Sequence, residues 1–158
     1  GRKVKKLRET ASKEMIEMLM ENATDVRKDW SSVVDSVIHD KPKFIKRTRD
    51  RMWLSNLETM RAILDVYTFT AEKFTEPDGS VTLSLNEIDL VENAPTEKEV
   101  RFLMGKAIME YAMEFYNEYQ IYSKAPNRKA HIPYVFKALL TDDSEKLGED
   151  LICRDGKN

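Results

Sequence analysis

The sequence predicts an α+β fold in two small modules, and three patterns carry that prediction. Residues 23–64 read as an amphipathic helix, an extended hairpin and a second helix. Residues 67–91 alternate apolar and polar side chains on either side of a Pro-Asp-Gly turn. A capped, largely apolar helix then runs from about residue 97 to residue 122. A chain of 158 residues is long enough to bury a real core, and 41% apolar with 34% charged residues describes a globular protein rather than a disordered one. No apolar run approaches the roughly 20 residues of a membrane helix, so no membrane association is expected. The single cysteine, Cys153, excludes an internal disulfide and fits the reducing cytoplasm.

Residues 2–13 read as a charged helical lead-in, and Glu9, Lys13 and Glu14 deny it the apolar core of a secretory signal. Gly1 in place of an initiating Met implies that further residues precede it. Residues 15–21, MIEMLME, admit two readings. Their methionines and four-residue spacing favour a continued helix, and the alternative is a first strand. Thr24 and Asp25 are competent N-caps. Behind them Val26, Trp30, Val33, Val34 and Val37 form one apolar stripe, which Asp40-Lys41-Pro42 ends. Phe44-Ile45 opens an extended segment that enters a turn with four cations in six residues, Lys46, Arg47, Arg49 and Arg51, and leaves through Met52-Trp53-Leu54. Ser55 is placed to cap a second helix whose inner face would be Leu57, Met60, Ile63 and Leu64.

In the second half, Tyr67, Phe69, Ala71 and Lys73 alternate with Thr68, Thr70 and Glu72. In Glu76-Pro77-Asp78-Gly79 the proline presets one dihedral and the glycine tolerates a positive φ. Val81, Leu83 and Leu85 give a half-buried strand, and Ile88, Leu90 and Val91 a shorter third one, so the sheet is expected to be three-stranded and antiparallel. Thr96 and Glu99 form a capping box for the long helix, whose apolar face includes Val100, Met104, Ile108, Ala112 and Phe115. Pro126-Asn127 ends it, residues 134–140 read as one more helix, and the remainder is a polar tail with a second, weak one.

Charge divides the chain. Residues 1–61 hold 15 Lys and Arg against 10 Asp and Glu, whereas residues 62–158 hold 11 against 18. A basic front suits nucleic acid and an acidic back suits a cationic partner; the plain alternative is ordinary scatter of solvated charge.

Catalytic chemistry is poorly provided for. His39 and His131 are the only histidines, and neither stands in a nucleophile–base or metal-ligand pattern. No phosphate-cradling glycine loop is present, so neither metal nor cofactor is expected. Glu76, Asp78, Glu87 and Asp89 fall near strands and could serve a magnesium-dependent nuclease, but their spacing follows strand alternation, which places them on solvated edges. Tyr111, Phe115, Tyr116, Tyr119 and Tyr122 could stack on bases, although their three-to-four-residue spacing favours packing on a sheet. The expectation is a binding protein, not an enzyme.

The order of helix, basic hairpin and helix in residues 23–64 resembles the DNA-binding half of the Phd/YefM antitoxins, in which a strand precedes the same elements. The motifs Asp78-Gly79-Ser80, Thr82, Ser84 and Thr96 to Glu99 resemble the HicB fold over roughly residues 67–122. The resemblance implies two modules, residues 1–65 and 66–158. It also implies a cytoplasmic homodimer, or higher oligomer, that binds operator DNA and neutralises a cognate toxin of the RelE-like or a similar RNase type. DNA contacts would fall on Thr24, Arg27, Lys28, Lys46, Arg47, Thr48, Arg49 and Arg51, because arginine binds phosphate and guanine through paired donors. Trp30, Val34, Trp53 and Leu57 exceed what so small a unit can cover and are assigned to a dimer interface. Tyr116 and Tyr122, with Asp142 and Asp143 of the acidic tail, are assigned to toxin binding. Two departures stand out: the basic turn lacks the family's usual glycine, and the C-terminal half is far longer than the short tail common in such antitoxins. The alternatives are a structural or adaptor protein with no nucleic-acid role, and a diverged RNase H-like nuclease.

Overall fold

The structure, a computed structural model, describes residues 1–2 and 15–157, so most of the charged lead-in lies outside the described residues. The chain forms two compact units, Gly1–Met60 and Arg61–Asn158. The broad α+β class holds in both, and each carries its own sheet.

In the first unit both readings of residues 15–21 are realised in succession. A short helix α1 (Met15–Leu19) gives way to strand β1 (Met20–Asn22), which pairs in parallel with β2 (Lys43–Arg47). The first amphipathic helix is broken in two, α2 (Ala23–Lys28) and α3 (Trp30–His39), with Asp29 between them at φ −112° and ψ 34°. Asn22 occupies the N-cap position of α2, so Thr24 and Asp25 already lie within the helix and cap nothing. The break aims Val26 of α2 and Val33 and Val37 of α3 at Ile45 of β2, and these four side chains are buried together. Strand β3 (Asp50–Leu54) pairs antiparallel with β2, giving the order β1-β2-β3. Their turn needs no glycine because Thr48 itself takes the left-handed conformation at φ 55°. Helix α4 (Leu57–Leu64), which begins in the first unit and ends in the second, is capped by Asn56, whose Oδ1 accepts from the Thr59 amide at 2.9 Å; Ser55 hydrogen-bonds the Asn56 carbonyl instead. Of its expected inner face only Leu64 is buried, and Leu57 and Ile63 are exposed.

The second unit has a four-stranded sheet of order β6-β5-β4-β7. Strands β4 (Thr70–Thr75), β5 (Val81–Leu85) and β6 (Val91–Ala94) are antiparallel neighbours, as their alternation predicts. Gly79 sits at φ +86°, and Asp78 Oδ1 accepts from both the amide and the hydroxyl of Ser80. Helix α5 (Glu97–Asn117) begins at Thr96, whose hydroxyl accepts from the Glu99 amide at 3.2 Å. The Glu99 carboxylate bonds that hydroxyl, so only half of the predicted box forms. The helix stops five residues earlier than predicted. Glu118 leaves helical geometry, and α6 (Tyr119–Tyr122) turns back so that Tyr119 and Tyr122 both pack edge-on against Phe115.

The polar tail is the largest correction. After α7 (Ile132–Thr141), a further helix α8 (Ser144–Glu149) docks on α5, and residues Ile152–Asp155 form a fourth strand, β7, parallel to β4. Gly105 and Gly148 let the two helix backbones touch; a methyl group on either would overlap the opposing chain, at the Ser144 carbonyl or the Arg101 carbonyl. Arg101 Nη1 donates to the carbonyls of Gly148, Glu149 and Leu151 at 3.1, 3.2 and 2.8 Å, satisfying the orphan acceptors of the α8 terminus. Leu147 and Leu151 complete a core that also holds Leu83, Met104, Ile108, Phe115 and Val135.

Candidate nucleic-acid interface and partner surfaces

The parallel pairing of β1 with β2 sets Asn22 opposite Lys46 and so carries the start of α2 to the hairpin turn. A groove of about 240 Å³ forms there, with Thr24, Asp25, Lys46, Arg47 and Thr48 in its walls. Sequence positions some twenty residues apart thus share one surface. The cations of this surface are not equally available. Lys46 and Arg51, cross-strand neighbours, both engage Glu17 of α1, Arg51 at 3.1 Å. The hydrogen bond from Lys46, reinforced by the charges of Lys46 and Arg51, holds the Glu17 carboxyl below its ordinary pKa. Arg47 reaches Asp50 at 3.4 Å. Arg49, Arg27 and Lys28 make no ion pair among the described residues and are exposed. Glu17 was not among the sequence-predicted residues: it precedes the hairpin by thirty positions, and no local pattern links them.

The same unit exposes an apolar groove of about 410 Å³ in which Val26, Trp30, Ile45, Met52, Trp53 and Leu54 take part. Of the four residues assigned to a dimer interface, Trp30 and Trp53 line this groove, Val34 is half-buried on α3, and Leu57 is exposed on α4.

In the second unit Tyr116 is exposed and touches Phe136 of α7 at a ring separation of 6.4 Å. Tyr122 is less free. Its hydroxyl donates to Glu114 at 2.7 Å, and the Arg128 guanidinium lies 4.2 Å from its ring centre. Asp142 ends α7 in the left-handed conformation at φ 52°, and Asp143 caps α8 by accepting from the Lys146 amide. Both aspartates are exposed. One cluster escapes sequence reasoning altogether: the Tyr111 hydroxyl and His131 Nδ1 lie 2.6 Å apart beside Arg128, tying the 128–131 loop to α5. Burial pushes the Tyr111 hydroxyl up and the His131 imidazole down from their ordinary pKa values. His39 is exposed at the end of α3.

Two of the four carboxylates weighed for nuclease chemistry have structural roles. Glu87 binds the amide and hydroxyl of Thr70, pinning the loop after β5 to the start of β4, and Asp78 belongs to the turn. No group of three or more His, Cys, Asp or Glu side chains able to hold a metal occurs among the described residues. Among those residues no helix is long and apolar enough to cross a membrane. Cys153 is half-buried, and its thiol is pushed above its ordinary pKa by that burial.

A basic, thinly cored unit joined to an acidic, well-cored one, each with surface suited to partners, has the organisation of a binding protein that regulates another molecule. The comparisons with known proteins give that class a name, the antitoxin of a toxin–antitoxin system. The PHD_like family model, described as the antitoxin of toxin-antitoxin, RelE / RelB, TA system, matches residues 9–152, and the chain belongs to that family. Its structure is similar to the crystal structure of a chain from Syntrophomonas wolfei subsp. wolfei described as an antitoxin part of a toxin/antitoxin system. The TM-score is 0.81 at 29% identity, over 87% of this chain and 99% of that one. No curated protein matches. As an antitoxin the protein is a non-enzymatic regulator with a cognate toxin as its partner.

Proposed function

We propose that the first unit is a Phd/YefM-like module that binds the protein's own operator as a homodimer in the cytoplasm. The second unit is then an HicB-like module that holds a RelE-like or similar RNase toxin. The observation that carries the DNA-binding part is the convergence of Thr24, Lys46, Arg47 and Thr48 on one groove, with Arg49 beside it in the turn and free of ion pairs among the described residues. Phosphate contacts from such side chains supply affinity through counterion release, and arginine adds base recognition. The apolar groove around Trp30 and Trp53 supports a two-fold contact, since a lone unit this small leaves it wet. For the toxin, the acidic balance of residues 62–158 complements the basic surface an RNA-cleaving partner needs, and exposed Tyr116 offers rigid contact area near it. Arg27, Lys28 and Arg51 extend the DNA surface; Tyr122, Asp142 and Asp143 extend the toxin surface.

A double Arg47→Ala, Arg49→Ala change should weaken binding to the upstream DNA and flatten its salt dependence by roughly one to two units of slope. Unchanged affinity and slope, measured by fluorescence anisotropy across a salt series, would defeat the assignment. Co-expression with the neighbouring gene product tests the toxin part. Replacement of Tyr116, Asp142 and Asp143 by Ala should release toxicity, and full neutralisation by that variant would remove them from the site.

A further inference from the structure

Lys46 and Arg51 are cross-strand partners on β2 and β3, so their side chains leave the sheet on one face. Like charges set directly opposite each other destabilise a strand pair. The chain offsets that cost from outside the hairpin. Helix α1 runs straight into β1, and the parallel register of β1 on β2 brings Glu17 to the pair. Its carboxylate is divided between them: Oε1 takes the Lys46 ammonium, and Oε2 takes the Arg51 guanidinium at 3.1 Å. One anion with two oxygens on a single central atom therefore fits across both cations. A phosphodiester offers the same arrangement in its two non-bridging oxygens, and Lys and Arg bind carboxylate and phosphate through the same charge-assisted bonds. The side chains of Lys46, Glu17 and Arg51 are 33%, 42% and 59% exposed, so the contact can open without disturbing a core. Lys46 also stands in the wall of the groove that holds Thr24 and Thr48.

We infer that Lys46 and Arg51 form a phosphate seat, and that Glu17 fills it until a phosphate of bound DNA takes its place. The inference rests on the first unit being the DNA-binding one; it adds a defined seat and an internal competitor carried by α1. Exposed ion pairs are weak, which suits a competitor that has to give way. A seat closed for roughly half to four-fifths of the time lowers apparent affinity about two- to fivefold. Arg27, Lys28 and Arg49, which make no ion pair among the described residues, meet the duplex without such an exchange. Salt screens the exposed Glu17 contact, so the competitor matters most at low ionic strength.

Fluorescence anisotropy of the full chain with its upstream DNA gives a mutant cycle that tests the exchange. Glu17→Gln should tighten binding about two- to fivefold at low salt, with the gain shrinking as salt rises. In a Lys46→Ala, Arg51→Ala background the same change should have no effect. Weaker binding by Glu17→Gln overturns the inference and makes Glu17 an orienting group. An equal gain in both backgrounds also overturns it, because long-range repulsion of DNA by Glu17 would then account for the effect. A second measurement needs no DNA. Acetylation of Lys46 by an activated ester, read by mass spectrometry against Lys28, should be about two- to fivefold faster in Glu17→Gln than in the unaltered chain. Inorganic phosphate, exchanged for chloride at constant ionic strength, should slow it again in that variant and leave Lys28 unchanged. Equal rates with and without the carboxylate, or no protection by phosphate, overturn the seat. Upstream DNA that binds neither protein, with the acetylation pattern intact, would end the operator reading and leave the phosphate seat standing.

Discussion

The two units solve the same problem with very different resources. Among the described residues the first buries a cluster of four aliphatic side chains, while the second buries fifteen in one core. Yet the first exposes Met15, Ile16, Met18, Leu19, Trp30, Ile38, Met52, Trp53 and Leu57, a large apolar load for so short a stretch. Small domains bury too little of their surface to be comfortably stable, and exposed apolar patches of this kind mark interaction surfaces. The lesson is a division of labour: the second unit is stabilised from within, and the first presents apolar surface that its own described residues do not cover.

The sharpest way to break this comparison is at the α5–α8 crossing. Gly148→Val should cost about 3 kcal/mol or more, because a side chain there collides with backbone rather than with a movable side chain. Urea unfolding should show the loss in the second unit while the first unit's near-ultraviolet tryptophan signal, from Trp30 and Trp53, is unmoved. A concerted loss of both would show that the units do not fold separately. Next in size is Trp53→Asp, which should abolish association through the first unit and yield monomeric or insoluble protein. A soluble variant of wild-type mass by light scattering would remove Trp53 from the interface.

A smaller, opposite effect is expected from Glu17→Gln. It frees Lys46 and Arg51 from their internal partner and should tighten operator binding by about two- to fivefold, the scale of exposed ion pairs. Weaker binding would mean that Glu17 is needed to orient these cations. The smallest effect concerns acid. Burial, and to a lesser degree Arg128, lowers the His131 pKa, with Asp89 opposing. The unfolded chain therefore takes up the proton first, so stability falls as pH drops below about 6.5 and levels off once the folded imidazole is also protonated. Replacing His131 by Asn should flatten that slope in a pH series of thermal midpoints.

What could be read from the sequence was whatever is decided locally. The Asp78-Gly79 hairpin, the Thr96 cap and the alternation of β4 and β5 each depend on neighbours a few residues away, and each is found. Strand β7 could not be read, because Ile152-Cys153-Arg154-Asp155 has no strand-like pattern and owes its conformation to β4, far earlier in the chain. The docking of α8 was missed for a related reason: its warrant is a pair of glycines on different helices and one arginine, Arg101, that reads as a solvated helix charge. For the first unit, the sequence identified the cations but not their restraint by Glu17. The break at Asp29 arises because Val26 and Val33 must reach one small core from two directions.

The parallel strand also has a consequence in time. Ile152 pairs beside Thr70, so β4 leaves the ribosome long before its outer neighbour exists. At about 5–20 residues per second the intervening helices take several seconds to make, and throughout that interval one edge of β4 is bare. A nascent chain in this state offers a strand edge to any extended segment nearby, including that of a sister chain on the same messenger. Ribosome stalling between α8 and β7 should therefore raise the yield of aggregated or protease-nicked protein more than stalling before β4. The window closes only when β7 takes its place at the edge.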